Sequence, residues 1–294
     1  MSLAQTLDFR AATERMGRAW RRWPPMVILS IVVIAALVFI ALTAQWLMPH
    51  ELDEQDLLNR YAPPVFMGGA WEYPLGTDSL GQDMLTLMLR AIQVSLSIAF
   101  LGTVIGAVAG TIVGFVAARF GGWVDGLVGV LVDFQAALPF LVLALALLAV
   151  LPDADMRTFI VLMCIYGWER YARLARGLAV AAREQGYAVA QRALGASGWR
   201  IYLRHILPNI AAVLVVNMSL NFPATILTET SLNFLGVGIE PPDTSLGVLM
   251  GQGRSYLYKA PWIALLPGLV IFVATFAMSI IGDWLRDRLD VAGR

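Results

Sequence analysis

Long apolar runs separated by short polar segments dominate the chain, a pattern typical of membrane-spanning helices. The run at residues 26–48 is long enough to cross a bilayer and too long for the core of a signal peptide. Further runs predict spans at residues 94–118, 126–151, 206–228 and 262–281. The pattern therefore predicts an all-α polytopic membrane protein.

Arginines orient these spans, because basic residues concentrate on the cytoplasmic flanks of membrane helices. The arginines that precede the first run place the N-terminus in the cytoplasm: Arg10, Arg15, Arg18, Arg21 and Arg22. A larger arginine group follows Glu169, so the chain must cross once more between Asp155 and that group. This stretch is short for a span, and a helix continuing past Glu169 would supply the missing length. We predict six transmembrane helices with both termini cytoplasmic.

The predicted spans divide the chain into a cytoplasmic N-terminal segment, a first transmembrane helix, an extracytoplasmic loop, a five-helix core and a cytoplasmic tail. The core is expected to contain a cytoplasmic loop between the fourth and fifth spans. The predicted bounds are residues 1–25, 26–48, 49–90, 91–285 with the loop at 183–208, and 286–294.

Composition agrees with a membrane protein and excludes several functions. Hydrophobic residues make up 59% of the chain and charged residues 14%, whereas about 25% charged is usual in soluble domains. Zero net charge gives no electrostatic footprint for nucleic acid. The single lysine, Lys259, follows Tyr258 rather than the glycine of a phosphate-binding loop, and His50 and His205 stand far apart. We expect no nucleotide site, metal or cofactor in this chain, and no enzymatic activity of its own.

Four glycines recur at every fourth position of the second predicted span: Gly102, Gly106, Gly110 and Gly114. They share one helix face and allow another backbone to approach closely. We interpret the stripe as a seam for helix packing within the chain, with a subunit interface as the alternative.

Acidic side chains in or beside spans are functional candidates, because a charge at membrane depth is costly. Asp133 and Glu169 have an alternative interpretation as partners of Arg170 or Arg173 near the cytoplasmic interface. Glu229 lies near a predicted helix end, where the alternative is simple solvation.

Two amides on the fifth span, Asn217 and Asn221, lie one turn apart on one face, and Pro223 follows them. A proline can open the backbone where a cavity is lined, so this face is a candidate substrate contact. Hydrogen bonding between helices is an equally good explanation.

The cytoplasmic loop contains a short amphipathic helix, with Tyr187, Ala190 and Leu194 at helical spacing and Gly195 where a C-cap is expected. Its apolar face would rest on lipid or dock into a groove of a partner protein. Periodicity alone leaves these alternatives open.

Four stretches of this sequence resemble a known family. GYAVAQRALGAS at residues 186–197, followed by RHILPN at 204–209, resembles the EAA loop of ABC-importer permeases. LGTDSLGQD at 75–83, SLNFLGVG at 231–238 and GDWLRD at 282–287 resemble the C-type permease subunit of dipeptide, oligopeptide and nickel importers. The resemblance runs nearly end to end and implies a type I importer fold.

In that family the loop forms a coupling helix that enters a cleft of the ATPase subunit, so the resemblance favours the partner over lipid. The implied coupling residues are Tyr187, Ala190, Ala193, Leu194 and Gly195. Two positions depart from the pattern. Val189 stands where the loop's name-giving acidic residue is expected, and Gln82 replaces a usual arginine.

The resemblance implies one permease subunit of an ATP-driven, binding-protein-dependent importer in the bacterial inner membrane. The implied partners are a homologous second permease, two ABC ATPases that hold ATP and Mg, an extracytoplasmic substrate-binding protein and membrane lipid. The candidates for its half of the translocation pathway are Asp133, Asn217, Asn221 and Glu229.

Peptides or peptide-like solutes are the expected cargo. Nickel, opines and glycosides remain alternatives. An ion-coupled secondary carrier that uses the intramembrane acids is the alternative from another class, and it would show internal repeats, of which the sequence has no obvious example.

Overall fold

The computed structural model describes residues 23–150, 155–241 and 243–292. Within these residues the chain is helical, with short 3₁₀ turns and a single isolated bridge between Thr77 and Asp83. The helices are α1 (Pro25–Leu47), α2 (Met84–Phe120), α3 (Gly122–Ala137), α4 (Phe140–Leu148), α5 (Met156–Arg183), α6 (Gly186–Ala193), α7 (Gly198–Ile201), α8 (Leu207–Phe234), α9 (Leu246–Gly253) and α10 (Trp262–Ala292). The predicted all-α class is confirmed.

Four stretches of the described chain are long and apolar enough to cross a membrane: α1, α2, α7 continued by α8, and α10. The predicted third span at residues 126–151 is wrong as one continuous helix, because α3 and α4 meet at a bend of 91°. Proline disfavours a helical residue before it, and Leu138 is extended immediately before Pro139. If the bent pair counts as one crossing, five are found, so six crossings stay a prediction.

Helix boundaries also differ from the predicted segments. Asp83 caps α2 by accepting bonds from the backbone N–H groups of Leu85 and Thr86, so the helix begins inside the predicted loop 49–90. The helix α10 continues to Ala292, through most of the predicted tail. The N-terminal arginines lie outside the described residues, and the side of the membrane that each segment faces stays a prediction.

The glycine stripe packs α2 against α5, which confirms the interpretation as an internal seam. A Cβ at Gly106 would lie 3.0 Å from the Cys164 carbonyl oxygen, and one at Gly110 would lie 2.8 Å from Tyr171 Cβ. Each later glycine of α2 contacts a later residue of α5, so the two helices run parallel. As predicted, α5 continues well past Glu169, to Arg183.

The core has two distinct ends. At one end, the α9 end, α9 and the start of α10 pack against α2 and α8, and Trp262 Nε1 donates a 3.0 Å hydrogen bond to the Thr77 carbonyl of the loop before α2. At the opposite end, the α6 end, Ala188 of α6 packs against the ends of α2 and α5 and the start of α8. A π-helical turn, Tyr202–Ile206, precedes α8 there and accommodates Pro208, which has no N–H to donate.

Candidate functional site

A charged face runs along the side of α5 that meets α3. Arg173 Nη2 lies 2.9 Å from Asp133 Oδ1 of α3, and both side chains are more than half exposed. One turn later Arg176 pairs with Asp125, with Nη2 at 2.6 Å from Oδ2. The alternative interpretation of Asp133 as an arginine partner is therefore confirmed, and exposed pairs of this kind contribute little to stability.

Glu169 lies beside this face but is buried. Gln135 Nε2 is 3.4 Å from Glu169 Oε2, and Trp168 Nε1 donates a 2.7 Å bond to Gln135 Oε1. Arg170 Nε lies 3.5 Å from Glu169 Oε1, the second pairing expected from the sequence. Gln135 and Trp168 were not singled out in the sequence, because an amide and an indole within apolar helices give no periodic signal.

The predicted amide pair lies beside the charged face and joins it to α8. Asn221 Nδ2 donates to Asn217 Oδ1 at 2.8 Å, and Asn221 Oδ1 accepts a 3.0 Å bond from Arg170 Nη1. Helix α8 continues unbroken through Pro223, so the backbone does not open there. Asp133, Asn217 and Asn221 therefore belong to one polar surface, which we call the α5 polar face: Asp133, Arg170, Arg173, Asn217 and Asn221.

Glu229 is not part of that face, and the alternative interpretation of a solvated helix end is wrong. Its side chain is fully buried near the α9 end, where Oε1 accepts a 2.7 Å bond from Asn233 Nδ2 and a 3.3 Å bond from Ser95 Oγ. Ser95 Oγ also accepts the N–H of Leu246, the first residue of α9. The loop after α8 folds back over this carboxyl, and a helix-end position in the sequence does not reveal such coverage.

The loop after α8 is anchored at two further points. Asn233 Oδ1 accepts the N–H of Ile239 at 2.8 Å, and Arg90 of α2 pairs with Asp243 at 2.5 Å. A cavity of about 710 Å³ opens between this loop and the end of α4, with Arg254 and Glu240 among its lining residues. Asn233 and Ile239 line this cavity, so the hydrogen bonds around Glu229 stabilise one of its walls.

The short amphipathic helix predicted before Gly195 is present as α6 and its C-cap is confirmed, whereas its coupling role stays a prediction. Gly195 adopts a left-handed conformation, its N–H bonds to the Arg192 carbonyl, and the N–H of Ala196 bonds to the Gln191 carbonyl. These two bonds form a Schellman motif. The motif exposes Leu194 at the helix end.

The implied coupling residues divide into an exposed group and one anchored residue. Ala190, Ala193, Leu194 and Gly195 are exposed, with Leu194 80% accessible, whereas Tyr187 is half-buried. Val189, at the position expected to be acidic, is 48% exposed. The exposed end of α6 is therefore an apolar surface without a partner among the described residues.

The loop that precedes α2 is held by buried carboxyl groups. Asp78 Oδ1 accepts the N–H groups of Leu80 and Gln82, both at 2.8 Å, and burial raises the pKa of Asp78. Hydrogen bonding from Asn59 lowers the pKa of Asp56. Gln82, which stands where the family pattern has an arginine, donates a 2.8 Å hydrogen bond to the Leu52 carbonyl. This bond joins two parts of the same loop.

Comparisons with known proteins agree with this arrangement. A family model described as "Binding-protein-dependent transport system inner membrane component" matches residues 102–291, and one for the N-terminal TM domain of oligopeptide transport permease C matches residues 15–64. In solved structures, the inward-facing MetNI methionine ABC transporter contains a chain with a TM-score of 0.52 at 20% identity. The match covers 69% of this chain and 97% of that one, and it shows a shared fold.

Similar curated proteins extend over almost the whole chain. The di/tripeptide transport system permease protein DppC of Pseudomonas aeruginosa is 34% identical over 89% of this chain and 86% of its own length. The oligopeptide transport system permease protein OppC of Mycobacterium tuberculosis is 34% identical over 90% and 91%, respectively. The glutathione transport system permease protein GsiD of Pectobacterium atrosepticum is 33% identical over 92% and 89%.

These matches confirm the resemblance drawn from the four motifs, together with the permease function and the inner-membrane location that it implied. The family model alone matches more than half of the chain, and it includes α5, α6 and α8. The chain belongs to the family of binding-protein-dependent transport system inner membrane components and is a permease subunit of that family.

Proposed function

We propose that this chain is the C-type permease subunit of an ABC importer for peptides or peptide-like solutes. The observation that carries the proposal is its similarity, over nearly its full length, to permeases named for di/tripeptide, oligopeptide and glutathione transport. Its partners are a homologous permease, two ATPases that bind ATP and Mg, and an extracytoplasmic binding protein.

The proposed topology has six crossings with both termini in the cytoplasm. The parallel packing of α2 and α5 supports this topology, because a chain that leaves α2 must return through α3 and α4 before α5 can begin at the same end. Arginines concentrate at the α6 end, which is therefore cytoplasmic in this proposal. The α9 end and the loop before α2 then face the binding protein.

The α5 polar face is the proposed wall of the translocation pathway. Its charged groups are exposed at the side of a membrane helix, where contact with lipid would be costly, and its amides are half-buried beside them. A homologous permease placed against this face would enclose a polar route. Carboxylate, guanidinium and amide groups complement the charged ends and the backbone of a peptide.

The helix α6 is the proposed coupling helix, and its exposed apolar end would enter an ATPase cleft. ATP-driven movement of the ATPases would then be transmitted to α5 and α8, which pack against α6 and the turn after it. Val189 provides apolar contact where an acidic residue would form an ion pair.

Purification of the tagged chain from its host in mild detergent, with mass spectrometry of the bound proteins, tests the assembly. We expect an ATPase, a second permease and a binding protein. The recovered complex is then reconstituted and assayed for uptake of a dipeptide, an oligopeptide, nickel, an opine and a glycoside. ATP-independent, ion-driven uptake by the chain alone would replace this proposal with the secondary carrier.

Two variants test the coupling role in that complex. Leu194→Asp and Gly195→Val should each lower ATP-driven uptake at least tenfold while the chain still inserts. Leu203→Asp is the matched control, because Leu203 is an exposed apolar residue at the same end of the molecule but lies outside α6. Normal uptake in both Leu194 and Gly195 variants would contradict the coupling assignment.

A further inference from the structure

A cavity lined by arginines lies at the α6 end, between the last turns of α2 and α5 and the segment that joins α6 to α8. Its volume is about 260 Å³, enough for several water molecules or one tetrahedral oxyanion. Three guanidinium groups line it: those of Arg119, Arg183 and Arg192. None of its lining residues belongs to the α5 polar face or to the exposed coupling residues, although Arg192 lies on α6 itself.

The arginines are poorly neutralised. Within the described part of the chain, Arg119 has no hydrogen bond or ion pair, and Arg192 has only a 3.5 Å contact with the Arg183 carbonyl. Arg183 contacts the Ala118 carbonyl at 3.4 Å and pairs at 3.2 Å with Glu184, whose own side chain is mostly exposed. Most guanidinium N–H donors around the cavity are therefore available to an anion.

A buried hydroxyl provides a second, independent observation. Tyr202 lines the cavity and is 3% exposed, and its buried hydroxyl, which faces the donor-only Arg183, has no hydrogen-bond acceptor among the described residues. An unsatisfied buried hydroxyl is unfavourable, and a bound oxyanion would accept its proton in a hydrogen bond.

Exposed aromatic side chains contact two of the residues that line the cavity. Phe120, which lies under the Arg119 guanidinium, is 60% exposed, and Trp199, which contacts the Tyr202 ring, is 45% exposed. Aromatic rings beside basic groups are typical of the membrane–water boundary, where basic pockets bind lipid phosphates.

We propose that this cavity binds a phosphate group, held by Arg119, Arg183, Arg192 and the Tyr202 hydroxyl. The phosphate comes from the headgroup of an anionic phospholipid or from free phosphate in solution. Placement at the cytoplasmic leaflet rests on the orientation proposed above, whereas the anion chemistry does not depend on it or on the transported cargo.

Native mass spectrometry of the full chain, purified with its bound subunits, tests the proposal. Phosphatidylglycerol, phosphatidylcholine and inorganic phosphate are titrated separately. We expect the double substitution R119Q/R192Q to weaken anion binding at least tenfold and Tyr202→Phe to weaken it several-fold. Arg200→Gln is the matched control, because Arg200 is exposed nearby but does not line the cavity.

The titrations distinguish the two sources and can overturn the site. Preferential retention of phosphatidylglycerol identifies a lipid headgroup, whereas saturable protection by inorganic phosphate against thermal unfolding identifies a soluble anion. Equal anion binding by R119Q/R192Q, Arg200→Gln and the unaltered chain would overturn the proposal. Loss of the ATPase subunit with unchanged anion binding would also overturn it and would assign the arginines to a protein contact.

Discussion

The seam between α2 and α5 makes a quantitative prediction at Gly110. A Cβ there would overlap the Trp168 carbonyl oxygen and lie 2.8 Å from Tyr171 Cβ and 3.0 Å from the Ala172 nitrogen. The atoms in the way are backbone and Cβ atoms, which cannot rotate aside. Gly110→Ala therefore forces the two helices apart.

The expected loss follows from this overlap. Inserting a methyl group into a tightly packed interior costs about 1–3 kcal/mol, and Gly110 should lie at the upper end because relief requires movement of a whole helix. Gly106→Ala should cost about 1 kcal/mol, since its nearest contact, the Cys164 carbonyl oxygen at 3.0 Å, requires a shift of only tenths of an ångström. Gly177→Ala on α5 meets open space and should stabilise the chain by about 0.5–1 kcal/mol, because alanine is the better helix former.

Reversible unfolding of the purified chain by sodium dodecyl sulfate, followed by helical circular dichroism, measures these differences. We expect stability to decrease from Gly177→Ala to Gly106→Ala and to be lowest in Gly110→Ala. If Gly110→Ala is as stable as Gly177→Ala, the two helices do not pack as closely as described, and the argument from the glycine stripe is refuted.

Further predictions concern the buried and exposed carboxyl groups. Glu229→Ala should destabilise the chain by about 2–3 kcal/mol, because it leaves the buried Asn233 and Ser95 side chains without their acceptor. Glu229→Gln retains an acceptor and should be better tolerated. Equal melting temperatures for the two variants would contradict this expectation. Burial raises the pKa of Asp78, so the stability that it contributes is fully present below its unfolded pKa of about 3.8 and is lost as pH rises through the higher folded pKa. Asp78→Asn should therefore stabilise the chain at neutral pH but not at pH 3, as read from melting temperature against pH, and an unchanged pH profile would refute the assignment. Asp133→Asn should shift stability by less than about 0.5 kcal/mol yet lower uptake in the reconstituted complex, whereas unchanged uptake would remove Asp133 from the pathway.

Much of the fold follows from sequence pattern, because apolar runs and glycine spacing act locally. The first, second, fifth and sixth predicted spans correspond to α1, α2, α8 and α10. The Gly195 cap was also predictable, since a left-handed residue after a short helix strongly favours glycine. The bend at Leu138 was missed because the apolar run continues through Pro139 without interruption, and hydropathy does not record backbone direction.

The functional surfaces were less predictable because they depend on contacts distant in sequence. The four-residue spacing predicted that Asn217 and Asn221 share a helix face. The hydrogen bond between Asn221 and Arg170, however, requires α5 and α8 to lie side by side. The burial of Glu229 depends on Ser95, which belongs to another helix 134 positions earlier. No local pattern distinguishes a covered helix end from a solvated one.

The composition of α5 provides a physical reason for a second permease. One side of this helix packs so closely on the α2 glycines that it must remain beside a membrane-spanning helix. Its other side carries Arg170 and Arg173, which the described chain leaves exposed. Charged groups at that depth require water or protein, because contact with lipid is unfavourable. The polarity of this helix therefore supports the proposed second permease subunit on its exposed side, and the same polarity made it the hardest span to recognise from hydropathy.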